Sequence, residues 1–257
     1  MKLQNHAYPR RFAVLGAVFA AALFGSVLLG RFSVTPKELF RLLLSRLTET
    51  EPGWRDGAEN VVFQIRLPRV AAAALIGAAL AAAGVSYQGM FRNPMVSPDL
   101  LGASTGACFG AALALILNGG LVAVQLTAMA FGVVAMLITY KAGKNRRETS
   151  IIMLVLAGMV VNSLFQAFVS LIKYTADSED KLPEITYWLR GSLNGATWKG
   201  LRLGMPVILA GTLVLIMLRW KCNVLTLSDD EARSLGVDLK KIRALIIVAA
   251  TAVIASC

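Results

Sequence analysis

The sequence predicts an all-α polytopic membrane protein, and three observations carry this prediction. First, 56% of its 257 residues are hydrophobic, which exceeds what the core of a soluble domain requires. Second, several apolar runs approach the roughly 20 residues that a helix needs to cross a bilayer. Third, Gly102, Gly106 and Gly110 recur every four residues, so they share one helix face on which a second helix can approach closely.

We predict six complete transmembrane helices and a seventh that is cut. The six lie near 12–30, 70–89, 102–117, 121–140, 151–172 and 201–218. The seventh begins at Ala244, and Cys257 follows before a helix could cross the membrane, so the sequence looks truncated. We interpret 1–257 as a single, incomplete transmembrane domain. The first run follows Arg10 and Arg11, and its length suits a retained span better than a signal peptide.

Prolines predict an irregular break after the second span. Pro68 fits the first turn of that span, where its missing N–H is not needed. Pro94 and Pro98 end the helix and keep the following segment irregular. Two tightly packed helices joined by a turn are the minimal interpretation.

The residues of the loop 31–60 indicate a short helix on the membrane surface. Thr35 and Glu38 have the spacing of a capping box at a helix start. An apolar face follows, formed by Leu39, Phe40, Leu43, Leu44 and Leu47. We interpret this helix as structural, without chemistry of its own.

The basic residues predict the orientation of the chain. Lys141, Lys144, Arg146 and Arg147 crowd one short loop, and short loops rich in Lys and Arg face the cytoplasm. We therefore predict a cytoplasmic N-terminus. The net charge of +11 is explained in the same way. Because no basic cluster is interleaved with aromatic residues, we expect membrane lipids and not nucleic acid as partners.

The chemistry-bearing residues of the sequence are few. Cys108, Cys222 and Cys257 have no metal-ligand spacing, and His6 is the single histidine. No phosphate-binding GxxxxGK[ST] motif occurs. We expect no catalytic site, no cofactor and no metal, and energy for any transport has to come from a partner protein.

Three separated groups of motifs resemble a known family. They are Arg66-Leu67-Pro68-Arg69 with the following Gly77-Ala78-Ala79-Leu80, Gln88-Gly89, Arg92-Asn93-Pro94 and Pro98-Asp99-Leu100-Leu101-Gly102; Tyr187-Trp188-Leu189-Arg190-Gly191-Ser192-Leu193; and Ala232-Arg233-Ser234-Leu235-Gly236-Val237. They resemble the transmembrane permease subunits of FecCD-type ABC importers, which take up iron-siderophores, haem and cobalamin. The resemblance covers nearly the whole chain, from about Phe12 to Cys257.

The resemblance implies a ten-helix permease of the bacterial cytoplasmic (inner) membrane. It further implies four kinds of partner. These are a second permease subunit that is identical or homologous to this one, a dimer of ATP-binding subunits, an extracytoplasmic substrate-binding protein, and membrane lipid. The substrate is largely selected by the binding protein, so the sequence does not name it. Whether neighbouring genes encode the ATPase and the binding protein is the most informative observation.

Arg66 and Arg69 lie at the outer mouth of the second span. Basic residues at a helix end often extend to the interface without any further role. Two within four residues make a better docking site for acidic groups. By resemblance, these positions receive glutamates of the binding protein.

Asn162, Gln166 and Ser170 follow one another at four-residue spacing along the fifth span. Such a polar stripe faces either another helix or a water-filled path. The resemblance favours a translocation path, because the family routes substrate along this helix. Thr149 and Ser150, at the inner entrance of the helix, are candidates for the gate.

The segment 223–243 predicts a cytoplasmic coupling element. Ser228 and Glu231 form a capping box, and Asp229 favours the positive end of the helix. Gly236 supplies a left-handed stop, and Asp238 can cap a second short helix. The alternative is a solvated turn. By resemblance, the residues that dock into the ATPase are Ser228, Asp229, Glu231, Ala232, Arg233, Leu235 and Gly236.

Two other function classes compete with an ABC importer permease. An ion-coupled secondary transporter tends to carry ionisable residues inside its spans, whereas the predicted spans here hold only Arg202, near an outer end. An intramembrane enzyme needs a nucleophile–base pair or a metal set, and the sequence presents neither.

Overall fold

The computed structural model describes residues 7–45, 54–143, 151–227 and 229–257, and every regular element in these ranges is helical. The α-helices are α1 (Ala7–Leu28), α2 (Pro36–Ser45), α3 (Ala58–Asn60), α4 (Leu67–Phe91), α5 (Ala103–Ile116), α6 (Leu121–Gly143), α7 (Ile151–Thr175), α8 (Lys181–Leu189), α9 (Trp198–Met217), α10 (Arg219–Leu225), α11 (Asp229–Ser234) and α12 (Leu239–Ser256). The predicted all-α class is confirmed.

Five helical stretches are long and apolar enough to cross a membrane within the described residues. They are Pro9–Leu28, Ala58–Phe91, Leu121–Gly143, Ile152–Thr175 and Trp198–Met217, and Ala103–Ile116 is a shorter apolar helix. Each overlaps one of the six predicted spans. The chain is therefore a multi-pass membrane protein.

The second span begins well before the predicted position. A π-helical turn, Val61–Arg66, joins α3 to α4, so one continuous helical stretch runs from Ala58 to Phe91. Pro68 lies in the first turn of α4, as predicted, and this turn directly follows the π-helical turn. Wider turns are places where a helix accommodates a residue that cannot donate to the regular hydrogen-bond ladder.

By its contacts the chain divides into two compact units. The first comprises Met1–Ala73 and Leu193–Trp198, and the second comprises Ala74–Ser192 and Lys199–Cys257. The core of the first unit forms around Val27, Leu42 and Val62, with Leu39 and Ala58 beside them.

Helix α2 carries the predicted capping box in the first unit. The backbone N–H of Thr35 donates to Glu38 Oε2 at 2.8 Å, and the N–H of Glu38 donates to Thr35 Oγ1 at 3.2 Å. Hydrogen bonds from Arg55 and then Thr35 lower the pKa of Glu38 to about 2. The box is confirmed and is reinforced by an arginine that the sequence does not reveal.

The apolar residues predicted for α2 divide between two edges of the helix. Leu39 and Leu42 are the buried residues of this helix, whereas the side chains predicted beside Leu39 are exposed: Phe40, Leu43 and Leu44. Leu47 lies outside the described residues. Helix α2 therefore packs its Leu39/Leu42 edge into the unit and leaves a second apolar edge uncovered.

Close packing of α5 against α6 dominates the second unit. A Cβ added at Gly106 would lie 2.5 Å from both Phe131 O and Ala135 Cβ. A Cβ at Gly110 would collide with the carbonyl of Thr127. The predicted small-residue face is confirmed for Gly106 and Gly110, because these glycines let two helix backbones touch. Gly102 instead precedes α5 in a left-handed conformation.

We predict that Gly106→Ala destabilises the protein by about 1–3 kcal/mol, because the added methyl group meets a backbone carbonyl that cannot move aside. Thermal unfolding in one detergent measures the effect. Gly77→Ala is the matched control, since a Cβ at Gly77 meets nothing within 4 Å. Equal unfolding temperatures for the two variants would contradict the close packing of α5 and α6.

Candidate translocation and coupling sites

The break between α4 and α5 is built from residues with unusual backbone angles. Arg92 has a φ of 52° directly after α4. The backbone N–H of Met95 donates to Asn93 Oδ1 at 2.9 Å, and Pro98–Leu101 form a 3₁₀ turn. Gly102, with a φ of 80°, ends this turn and begins α5, a conformation that favours glycine.

Side chains from neighbouring helices satisfy the carbonyl groups of this break. Thr139 on α6 is fully buried and donates its hydroxyl to Leu101 O at 2.9 Å. Asn162 on α7 donates through Nδ2 to Asp99 O at 3.3 Å. A buried carbonyl group such as that of Leu101 requires such a partner, because water cannot reach it.

The predicted stripe on α7 divides into two parts. Asn162 is half-buried, and its Oδ1 accepts from the Thr105 hydroxyl at 2.6 Å, so this amide joins α7 to α5. Gln166 and Ser170 are exposed, and the Ser170 hydroxyl donates to Gln166 O of the same helix at 2.9 Å. The geometry makes Asn162 a packing residue and leaves the other two on a free face. Thr149 and Ser150 lie outside the described residues.

Helix α11 ends in the predicted left-handed stop. Gly236 has a φ of 73°. The N–H of Leu235 donates to Glu231 O at 3.3 Å, and the N–H of Val237 donates to Ala232 O at 3.4 Å. These bonds close the helix over its own last turn, as expected for a glycine stop.

The prediction of a second, separate short helix after Gly236 is wrong. Asp238 caps α12 itself: its carboxylate accepts from the N–H of Lys241 at 3.2 Å, and this bond is the first cause that lowers the pKa of Asp238. The seventh helix therefore begins at Leu239 and not at Ala244. Residues predicted as a separate loop helix instead extend the span.

Ala232 faces the interior of the chain and not an outside partner. Its side chain has an exposed fraction of 0% and shares a core cluster with Leu225 and Leu239. Leu235, in contrast, is 62% exposed. The prediction of a close external fit at Ala232 is corrected, because its burial comes from within the chain. Ser228 lies outside the described residues, as do the side chains of Asp229 and Arg233.

Arg92 attaches the break to the coupling segment. Its Nε donates to Leu225 O, the last residue of α10, at 2.9 Å. Phe91, Val96 and Leu225 also lie in one core cluster. The inner segment is thus joined to the break by a hydrogen bond and by apolar packing.

Arg66 points inward, contrary to the expected outward position. Its exposed fraction is 8%, and its guanidinium donates to Val27 O at 2.6 Å, to Leu28 O at 2.9 Å and to Phe32 O. These are carbonyl groups at and beyond the end of α1, which the helix itself leaves without partners. Gly30 makes room for the arginine, because a Cβ there would lie 2.5 Å from Nη2.

Arg69 is half-buried and donates through Nη2 to Asn194 O at 2.6 Å. Near this contact, Trp198 Nε1 donates to Phe63 O at 2.7 Å. Of the two predicted docking residues, Arg69 is the one with accessible surface. A docking role of either arginine stays a prediction.

The sequence model of the FecCD transport family matches residues 18–257. The chain belongs to this family. The molybdate import system permease protein MolB of Haemophilus influenzae is 34% identical over 245 residues, 95% of this chain and 72% of that protein. The cobalamin import system permease protein BtuC of Halobacterium salinarum is 34% identical over 205 residues, 79% of this chain and 55% of that protein.

A solved structure of an ABC transporter in an inward-facing conformation, described as of the metal-chelate type, shares the fold. Its TM-score is 0.83 at 32% identity, and the match covers 97% of this chain and 75% of that one. The chain thus spans between 55% and 75% of the lengths of these three proteins. Its relatives among the FecCD proteins are permease subunits of importers for different substrates.

Several residues that shape this FecCD chain give no separate signal in the sequence. Thr105 and Thr139 look like ordinary members of apolar spans, and Arg92 stands out only as part of a motif. A polar residue in a membrane helix needs a partner, and the nearest irregular backbone is the first place to search for one. That rule, applied to the break, points to Thr105 and Thr139.

We predict that Arg66→Gln lowers the free energy of unfolding by about 1–3 kcal/mol, because buried carbonyl groups lose their donors. Arg41→Gln, which removes the same charge from an exposed position on α2 of the same unit, should leave stability within about 0.5 kcal/mol. Chemical denaturation in detergent compares them. If Arg66→Gln left the free energy of unfolding unchanged, the structural role of Arg66 would be contradicted and the predicted docking role would be favoured.

Proposed function

We propose that this chain is the membrane-spanning permease subunit of an ABC importer. The observation that supports it most is the inner segment of α10 and α11, which is packed onto the break through Leu225 and Ala232 and held there by Arg92. A permease without a nucleotide site of its own has to receive motion from a separate ATPase. A segment joined to the core can transmit such motion, whereas a free loop would absorb it.

The exposed Leu235 and the stop at Gly236 form the contact with the ATPase in this proposal. Leu235 presents an apolar side chain beside a helix whose end is closed by backbone hydrogen bonds. Motion would pass from this contact through Ala232 and Leu225 to the break. Ser228, Asp229, Glu231 and Arg233 belong to the same docking surface by family resemblance.

The substrate of the proposed importer is a bulky metal chelate or corrinoid: an iron-siderophore, haem or cobalamin. Support comes from the relatives, of which one is a cobalamin import permease and another is described as of the metal-chelate type. Molybdate is the substrate in the name of MolB, so an oxyanion is the alternative to be tested.

The exposed face of α7 lines the translocation path, between this subunit and a second permease copy or homologue. Gln166 and Ser170 lie on that face, together with the exposed apolar side chain of Met159, seven residues before Gln166. A mixed face of this kind suits a path for a large amphipathic chelate. Thr149 and Ser150 remain the proposed gate residues.

An extracytoplasmic binding protein delivers the substrate and docks through acidic side chains to Arg69. Arg66 contributes indirectly, by fixing the end of α1 and the loop that follows it. The N-terminus is cytoplasmic and the protein resides in the bacterial cytoplasmic membrane. The proposal requires Leu235 to face the ATPase and Arg69 to face the binding protein.

Co-reconstitution tests the proposal. The chain is expressed with the ATPase and the binding protein encoded beside its gene and placed in liposomes. Uptake of a ferric siderophore, haem, cobalamin and molybdate is then measured with ATP inside. We expect ATP-dependent uptake of one chelate. Uptake that requires an ion gradient and not ATP would overturn the proposal in favour of a secondary transporter.

Two variants separate coupling from docking in the same assay. Leu235→Asp should lower substrate-stimulated ATP hydrolysis by about tenfold and leave the affinity for the binding protein unchanged. Arg69→Glu should weaken that affinity, most at low salt, and spare basal hydrolysis. Leu44→Asp and Arg41→Glu, at exposed positions of α2, are the matched controls. If Leu235→Asp retains wild-type stimulation, the segment is only a turn.

A further inference from the structure

A cavity of about 560 Å³ lies within the first compact unit, between the end of α1 and the start of the helix that begins at Ala58. This volume is typical of small-molecule sites in proteins. Its walls are mostly apolar and include Leu23 on α1 and Val61 and Val70 on the facing helix. The charged residues that line it are three arginines, and no residue that lines it is acidic.

The positive charge of this cavity is not neutralised within the described part of the chain. Arg66 is buried, and its hydrogen-bond partners are three uncharged carbonyl groups. Arg31 lines the same cavity, is exposed, and makes no hydrogen bond or ion pair with described residues. A charge removed from water is costly unless an opposite charge approaches it, so this site favours an anion.

The apolar walls distinguish an amphiphilic anion from a free one. The span Pro9–Leu28 is long and apolar enough to cross a membrane, and this chain covers almost none of it, so its surface is available to lipid. The cavity lies at the end of that helix, and the end of a membrane-spanning helix is the level at which lipid headgroups are expected. A free phosphate ion would contact the arginines and leave the apolar walls exposed to water, whereas a phospholipid would contact both the arginines and the apolar walls.

We propose that this cavity binds one anionic phospholipid. Its phosphodiester group lies beside Arg31 and the inward Arg66, and the first part of an acyl chain lies along Leu23, Val61 and Val70. Arginine suits this contact because its planar donors match phosphate oxygens. The proposal concerns a structural lipid and does not depend on the transport function or on the substrate.

Native mass spectrometry of the whole chain in detergent tests the proposal, with titrations of phosphatidylglycerol, phosphatidylcholine and inorganic phosphate. We expect phosphatidylglycerol to bind more tightly than phosphatidylcholine and to raise the unfolding temperature. Arg31→Gln should weaken phosphatidylglycerol binding by roughly fivefold, the effect typical of one basic residue near an anionic lipid. Arg41→Gln is the matched control. Arg66 and Arg69 stay unchanged, so folding and docking are not disturbed.

A second pair of variants tests the cavity itself. Ala73→Trp fills the cavity from its lining, and Ala21→Trp adds the same side chain at an exposed position of α1 that does not line it. Only the first should abolish the preference for phosphatidylglycerol. The proposal would be overturned if Arg31→Gln bound phosphatidylglycerol as tightly as Arg41→Gln, and Ala73→Trp bound it as tightly as Ala21→Trp. Displacement of the lipid by millimolar phosphate would also overturn it, and would assign the site to a free anion.

Discussion

The structure depends on one constraint: buried backbone groups that leave a helix must find their partners within the protein. The chain leaves helical geometry between α4 and α5, and carbonyl groups become free there. Thr139 and Asn162 reach this segment from two other helices, and Arg92 leaves it to reach α10. The polar residues of the spans therefore serve the backbone first.

The same constraint explains why Arg66 and the paired glycines have structural roles. Arg66 supplies donors to carbonyl groups past the last turn of α1, and Gly30 leaves space for its side chain. Gly106 and Gly110 bring α5 against α6, which places Thr139 beside the break. Removing any of these contacts exposes backbone polarity or opens the packing. A break secured from several sides can act as a rigid part in the proposed transport cycle.

Periodicity and turn chemistry made much of this fold predictable. Apolar runs identified five long apolar helices and the shorter Ala103–Ile116, and the local rules for caps identified Thr35, Glu38 and Gly236 correctly. These features are determined by residues near one another in the sequence, so local physics is sufficient. The four-residue glycine spacing indicated a close helix contact but not its partner, which is α6 and not the helix before the break.

What the sequence left open depends on long-range partners. The direction of Arg66 is set by carbonyl groups 34 to 39 residues away, and the burial of Ala232 by α10 and α12. The stripe on α7 was regular in sequence, yet Asn162 is hydrogen-bonded to Thr105 whereas Gln166 is exposed. The two short helices α8 and α10 were missed, because a helix of two turns has too few residues for a periodic pattern.

The most direct test of the central claim removes one donor to the break and nothing else. Thr139→Val keeps the shape of the side chain and deletes the hydroxyl that donates to Leu101 O. Thr127→Val is the control on the same helix, because its hydroxyl donates to Ala123 O of its own helix at 2.7 Å. Hydrogen–deuterium exchange of 92–102, measured with thermal unfolding, reports the result. The account predicts faster exchange in the break and a loss of about 1–3 kcal/mol for Thr139→Val alone. Equal behaviour of the two variants would contradict it.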